Sequence, residues 1–163
     1  MTVPPVPPPG DEHWMRRAIA LSRLCPPSPT AFNVGAVIVG ADGTELASGY
    51  SRDRGPHAHA EQSALGGLLR SAQQTATDPR LATATLYSTL EPCSERRSGP
   101  PCTGLVLAAG IRRVVIAWRE PELFVADCQG VELLREAGVA VAELVALEAE
   151  AKAVNRHLPG VTG

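Results

Sequence analysis

The stretch Ala84-Thr85-Leu86-Tyr87-Ser88-Thr89-Leu90-Glu91-Pro92-Cys93 decides the architecture when it is read together with residues 94–118. Ala84 to Ser88 reads as a strand that feeds Thr89 to Cys93. Leu105 to Ala109 then reads as a short helix closed by Gly110. Arg113-Val114-Val115-Ile116-Ala117-Trp118 is a second strand, apolar enough to be buried on both faces. Strand, helix, strand is the unit whose two strands run parallel through a right-handed crossover.

Downstream, Leu133, Leu134 and Ala137 sit on a helix ending at Gly138, Val139 to Val141 form a last strand, and Leu144 to His157 reads as a closing helix. Upstream, Val34 to Val39 and Thr44 to Ser51 flank the turn residues Ala41-Asp42-Gly43, which predicts an antiparallel hairpin. Asp11 can cap a first helix carrying Trp14, Met15, Ala18, Ile19 and Leu21, stopped by Pro26 and Pro27. A polar loop, Arg52 to Pro56, leads to a second helix with Ala64, Leu65, Leu68 and Leu69 at helical spacing, and Gln73 to Arg80 is another polar loop. The implied fold class is α/β: a three-layer α/β/α sandwich on a mixed sheet of about five strands.

Composition bounds the function. A hydrophobic fraction of 44% and a charged fraction of 20% mark a globular chain, and 163 residues suit one domain, drawn here over 11–163 behind a proline-rich arm at 1–10 expected to be disordered. No apolar run approaches the roughly 20 residues of a membrane span. Met1 to Gly10 has neither a basic region nor an apolar core of a leader, so a cytoplasmic address and no membrane partner are expected. The formal charge of -2 and the 4% aromatic content disfavour a nucleic-acid partner.

The chemistry concentrates in His59-Ala60-Glu61, Pro92-Cys93 and Cys102. One imidazole and two thiols make three ligands for a zinc ion (Zn2+) with a fourth position left open, which is the arrangement of catalytic rather than structural zinc. Cys93 follows a proline just after a strand, and Cys102 leads into a helix whose N–H groups and dipole favour a thiolate. Glu61, two residues after His59, stands close enough to move protons without binding the metal. A closed structural site, with His57 or Cys25 as fourth ligand, is the plain alternative, but it leaves Glu61 without a purpose. Cys25 and Cys128 have no metal-like spacing and read as small hydrophobes, and His57 as a loop residue or a ligand contact.

His-x-Glu followed by Pro-Cys and a second Cys is the signature of the zinc deaminases. The chain therefore resembles the cytidine deaminase superfamily, with eight residues rather than two between Cys93 and Cys102. That gap, together with Thr89 to Ser94 and Pro100-Pro101-Cys102, is similar to the pyrimidine deaminase domain of bacterial riboflavin biosynthesis, from Met15-Arg16-Arg17-Ala18 to Ala137-Gly138-Val139. The resemblance implies a cytidine deaminase-like fold, a zinc cofactor and hydrolytic deamination of a diaminopyrimidinone carrying ribosylamino 5-phosphate. It also implies a homodimer or homotetramer.

Three features depart from that family. The loop Glu95-Arg96-Arg97-Ser98-Gly99 replaces its usual His, Gly, basic residue and Thr; Thr30 to Ala36 is more similar to nucleoside deaminases; and the reductase domain of the bifunctional enzymes is missing. Substrate contacts are expected from Asn33, from the backbone at Ala60, and from Arg96 and Arg97 toward a phosphate, although Asn33 can equally serve a turn and the arginines can equally be solvated. Trp118, Glu120 and Phe124 lie beyond the buried strand, where they wall the pocket or pack. Alternative substrates are a nucleoside, a free base or another amino-heterocycle, and the non-enzymatic alternative is a silent zinc-containing binding module.

Overall fold

A computed structural model describes residues 10–71, 78–96, 99–119 and 128–161. The arm at 1–9, Arg97, Glu120, Phe124 and most of the loop from Gln73 lie outside the described residues. The five strands are β1 (Gly35–Val39), β2 (Glu45–Tyr50), β3 (Thr85–Ser88), β4 (Arg113–Ile116) and β5 (Ala140–Glu143), in the sheet order β2-β1-β3-β4-β5. β1 is antiparallel to both β2 and β3, whereas β3, β4 and β5 run parallel, so the sheet is mixed as the hairpin and the late crossovers require.

Five α-helices cover it: α1 (Asp11–Ser22), α2 (Ala60–Ser71), α3 (Cys102–Ala109), α4 (Gly130–Glu136) and α5 (Glu148–Ala153). α3 touches both α2 and α4 on one face, and α1 meets the segment leading into α5 on the other, which gives three layers. β1 and the last three residues of β4 are buried throughout, the mark of strands covered on both sides. A single apolar cluster runs from Met15 in α1 to Ala151 in α5, built from Ala, Val, Leu and Ile with Trp118 and Tyr87. Among the described residues no helix is long and apolar enough to cross a membrane.

Two glycines set the layer spacing. A Cβ on Gly35 would lie 1.9 Å from the Ala18 carbonyl oxygen, so α1 reaches β1 only because none is there. On the opposite face a Cβ on Gly49 would meet Ala64 N and Ser63 Cβ at 2.7 Å, so α2 presses directly on β2. Two expectations need correction. Asp11 does not cap α1: Gly10 stands at the cap, while the Asp11 carboxylate accepts from Arg113 Nη2 at 2.7 Å and from Tyr87 Oη at 2.7 Å, tying α1 to the start of β4. The closing helix is also shorter than its apolar pattern, with a 3-10 turn over Val145–Leu147, α5 over Glu148–Ala153, and turns beyond. Just past its end Asn155 bonds the Ala151 carbonyl and the backbone of Asn33, fixing the turn against a distant loop.

Candidate active site

The carboxyl end of β3, the loop after it, and the N-termini of α2 and α3 converge on one cleft of about 360 Å3. His59 immediately precedes α2 and its carbonyl accepts from Ser63 N at 2.9 Å. Its own N–H is met by Gln62 Oε1 at 3.4 Å, one half of a capping box. Cys93 is carried past β3 by a loop anchored at Glu91, whose N–H donates to the Trp118 carbonyl at 2.8 Å and whose buried carboxylate accepts from Val131 N at 2.8 Å. Cys102 is the first residue of α3 and fully buried.

These three residues bring their donor atoms within 4.8 Å of one another. His59 Nδ1 lies 3.6 Å from Cys93 Sγ and 3.4 Å from Cys102 Sγ. A tetrahedral zinc with ordinary Zn–S and Zn–N bonds requires such pairs to be about 3.5 Å apart. The donor set and its spacing therefore fit zinc. Among the described residues no other His, Cys, Asp or Glu joins this group, so neither His57 nor Cys25 acts as a fourth donor.

The sulfurs are not equivalent. Cys93 Sγ accepts the Cys102 N–H from the first turn of α3 at 3.2 Å, so the helix terminus serves Cys93 rather than Cys102. The Cys102 thiol donates to it as well, and with His59 these contacts pull the Cys93 thiol well below the ordinary range. Cys102, hydrogen-bonded to that sulfur and buried, is pushed up. The Cys93 sulfur in turn raises His59 against the opposing effect of burial. Zinc binding must displace the remaining thiol proton.

Glu61 is 4% exposed, and burial raises its carboxyl above the ordinary range despite the nearby His59. It is held by Ser88 at the end of β3, whose Oγ stands 2.8 Å from Glu61 Oε1 and also 2.8 Å from the Leu90 carbonyl oxygen. A buried carboxyl held toward the protonated form beside a metal-ligand cluster is what a proton carrier needs.

Residues 9–118 match the family model described as the cytidine and deoxycytidylate deaminase zinc-binding region. The chain belongs to this deaminase family. The domain is 38% identical over 151 residues to the diaminohydroxyphosphoribosylamino-pyrimidine deaminase of Schizosaccharomyces pombe, covering 91% of this chain but 36% of that one. The chain thus spans about a third of the length of such curated relatives. The protein of the same name from Buchnera aphidicola is 34% identical, with 80% of this chain and 82% of the relative covered. Among solved structures, the Rib2 deaminase of Aspergillus oryzae superposes with a TM-score of 0.76 at 26% identity, covering 88% of this chain and 89% of that one. Its complex with DARIPP gives 0.74 at 25% identity, with 88% of each chain covered.

The remaining candidates of the deaminase domain divide. Ala60 is fully buried and lines the cleft beside Glu61. Arg96 lines it too, with Nη1 on Gln62 Oε1 at 3.1 Å and Nη2 on the His57 carbonyl at 2.6 Å, which stitches the loop after Cys93 to the segment before α2. Arg97 is outside the described residues. Asn33 is not among the cleft-lining residues. Its Nδ2 donates to the Val154 carbonyl at 3.3 Å and its Oδ1 accepts from Arg52 Nη2 at 2.5 Å, so the carboxamide is engaged at both ends, and Thr30, Ala31 and Phe32 face the cleft instead. Trp118 packs edge-on against Phe32, with ring centroids 5.6 Å apart, and is buried outside the lining.

Arg52, which in the sequence reads only as part of a polar loop, belongs to the site. It is the one described non-glycine residue with positive φ, at 64°, and its guanidinium donates to the carbonyls of Pro26 and Phe32 as well as to Asn33. No local pattern announces such a bend at an arginine. Glu91 is equally silent in the sequence, because its partner Val131 is 40 residues away.

Proposed function

We propose that this chain catalyses hydrolytic deamination of a small aminopyrimidine, and specifically of the riboflavin-pathway diaminopyrimidinone bearing ribosylamino 5-phosphate. The observation that carries the reading is the three-donor cluster of His59, Cys93 and Cys102 with the buried Glu61 carboxyl beside it. The Buchnera relative, similar in extent to this domain, and the DARIPP complex of the Aspergillus protein support the substrate class.

In this reading His59, Cys93 and Cys102 hold zinc. Zinc at these donors supplies Lewis acidity that makes a water nucleophilic near neutral pH. Glu61 takes a proton from that water and returns it to the departing amine, so that a ring C–NH2 becomes C=O and ammonia leaves. Ser88 holds the Glu61 carboxyl in place, and burial raises it above the ordinary carboxyl range, toward easier return of the proton. The backbone at Ala60 contacts the ring. Arg96 meets the phosphate: a guanidinium has five N–H donors, and its two protein contacts leave others for an anion. Asn33, its amide engaged, acts through the loop rather than by direct contact.

We further read the domain as cytoplasmic, since two thiol ligands need a reducing compartment to stay open to metal. It is also read as a homodimer or homotetramer, because α3 (CTGLVLAA) carries no charge and leaves Leu107 39% exposed, and Leu133 on α4, which packs against α3, is 37% exposed. A nucleoside or free base is the second substrate reading, favoured by the stretch Thr30 to Ala36, which is more similar to nucleoside deaminases.

Ammonia release by the zinc-loaded protein from a panel of aminopyrimidines, nucleosides and bases tests the proposal. Glu61→Ala should lower kcat by about 10²- to 10⁴-fold with zinc retained. An unchanged rate in that variant would sink the mechanism, and preference for a nucleoside would move the substrate to the second reading.

A further inference from the structure

Residues 26–34 form a wall of the cleft through Thr30, Ala31, Phe32 and Val34, yet they contain neither helix nor strand. Their backbone is held by side chains from two directions. From within the matched family region Arg52 takes the Pro26 and Phe32 carbonyls. From beyond that region the turn after α5 takes the Asn33 N–H and the Asn33 and Ala31 carbonyls. Asn155, 2% exposed, accepts from Asn33 N at 2.7 Å through Oδ1 and donates to the Asn33 carbonyl at 3.1 Å through Nδ2, pairing as a strand neighbour would. Two residues on, His157 Nε2 donates to the Ala31 carbonyl at 3.1 Å. Three consecutive loop residues, 31 to 33, thus have backbone groups fixed by side chains distant in sequence.

We propose that Asn155 and His157 are positioning residues for substrate binding: the C-terminal turn sets the conformation of the Thr30–Phe32 wall without touching the cleft. This rests on the deaminase reading above. Thr30 to Phe32 supply neither a metal donor nor the Glu61 carboxyl, so displacing them alters how well substrate is held more than how fast a bound substrate reacts. Asn155→Leu keeps the buried volume while removing both hydrogen bonds, and His157→Ala alters an exposed side chain only.

The test uses the zinc-loaded full chain, with zinc content, KM, kcat and amide exchange measured for both variants and for Glu150→Ala, a change on α5 that leaves the loop contacts in place. The expected result is a KM raised about 10-fold in Asn155→Leu and a few-fold in His157→Ala, with kcat within about twofold, full zinc, and a wild-type KM in Glu150→Ala. Exchange at the Asn33 amide should quicken in Asn155→Leu, while that of Val34, which donates to Ser51 Oγ at 3.0 Å, stays slow. A wild-type KM in both variants despite faster Asn33 exchange would show a merely structural clamp and overturn the inference, as would a fall in kcat alone. Wild-type protein that releases no ammonia from any substrate would overturn the functional reading and this inference together, whereas an active wild type with unchanged variant KM overturns only the latter.

Discussion

Gly49→Ala pushes on the helix that carries Glu61, the proposed proton carrier. The added Cβ would stand 2.7 Å from Ala64 N and Ser63 Cβ and 3.0 Å from the Ala60 carbonyl; 2.7 Å is 0.7 Å short of the 3.4 Å where ordinary contact begins. None of these atoms is the end of a flexible side chain, and all lie in the first turns of α2, so the helix must retreat from the sheet roughly as a body. Overpacking of this kind costs about 1–3 kcal/mol. For a domain of this size that is a Tm loss of roughly 2–12 °C. The rate should suffer further. Glu61 lies between the contact points, and since a misplacement of roughly 1 Å costs about 10²-fold, a shift of this size should lower kcat by roughly 10- to 100-fold. Gly67→Ala is the contrast: its Cβ would meet only Arg54 Nη2 at 3.5 Å, so within the same helix it should raise Tm. Thermal melts and ammonia release on zinc-loaded proteins read both effects. Wild-type Tm and rate in Gly49→Ala would refute the claim that this close approach fixes Glu61.

Cys102→Ser removes a ligand, and should weaken zinc binding by more than the roughly 10- to 100-fold that loss of a supporting partner costs, whereas Cys25→Ser leaves it unchanged; competition with a chromogenic chelator measures both. At the other end of the sheet, the Arg113 guanidinium holds the Asp11 carboxyl below the ordinary range, assisted by Tyr87. A depressed folded-state value means that the stabilisation is present above the ordinary value of 3.8 and is lost as pH falls through the folded one, so the Tm gap between wild type and Asp11→Asn should be full at neutral pH and close progressively in acid. A constant gap in melts across that range would count against the ion pair.

Patterns confined to short windows were the legible ones. The alternation of strands and helices from Ala84 to Val141 carried the parallel half of the sheet, and the spacing of His59, Cys93 and Cys102 pointed to the donor cluster that the fold brings together. What escaped was set by partners far along the chain. Asp11 has the right type for a cap, but an arginine 102 residues away is a stronger partner than the helix N-terminus. Asn33 and Asn155 are likewise 122 residues apart, so the use of neither is written locally. Arg52 holds its loop by a bend that no neighbour predicts.

The hydroxyl of Ser88 has one hydrogen and two acceptors at equal distance, Glu61 Oε1 and the Leu90 carbonyl oxygen, each at 2.8 Å. When Glu61 is ionised the hydrogen points to it; when Glu61 holds the proton, the carboxyl becomes the donor to Oγ and the hydroxyl turns to Leu90. The two states of the carboxyl therefore differ by the rotation of a single O–H bond, with every heavy atom in place. The proposed deamination would have Glu61 change charge twice per turnover in a buried setting, and this switch would let the surrounding dipoles follow the proton at almost no reorganisation cost.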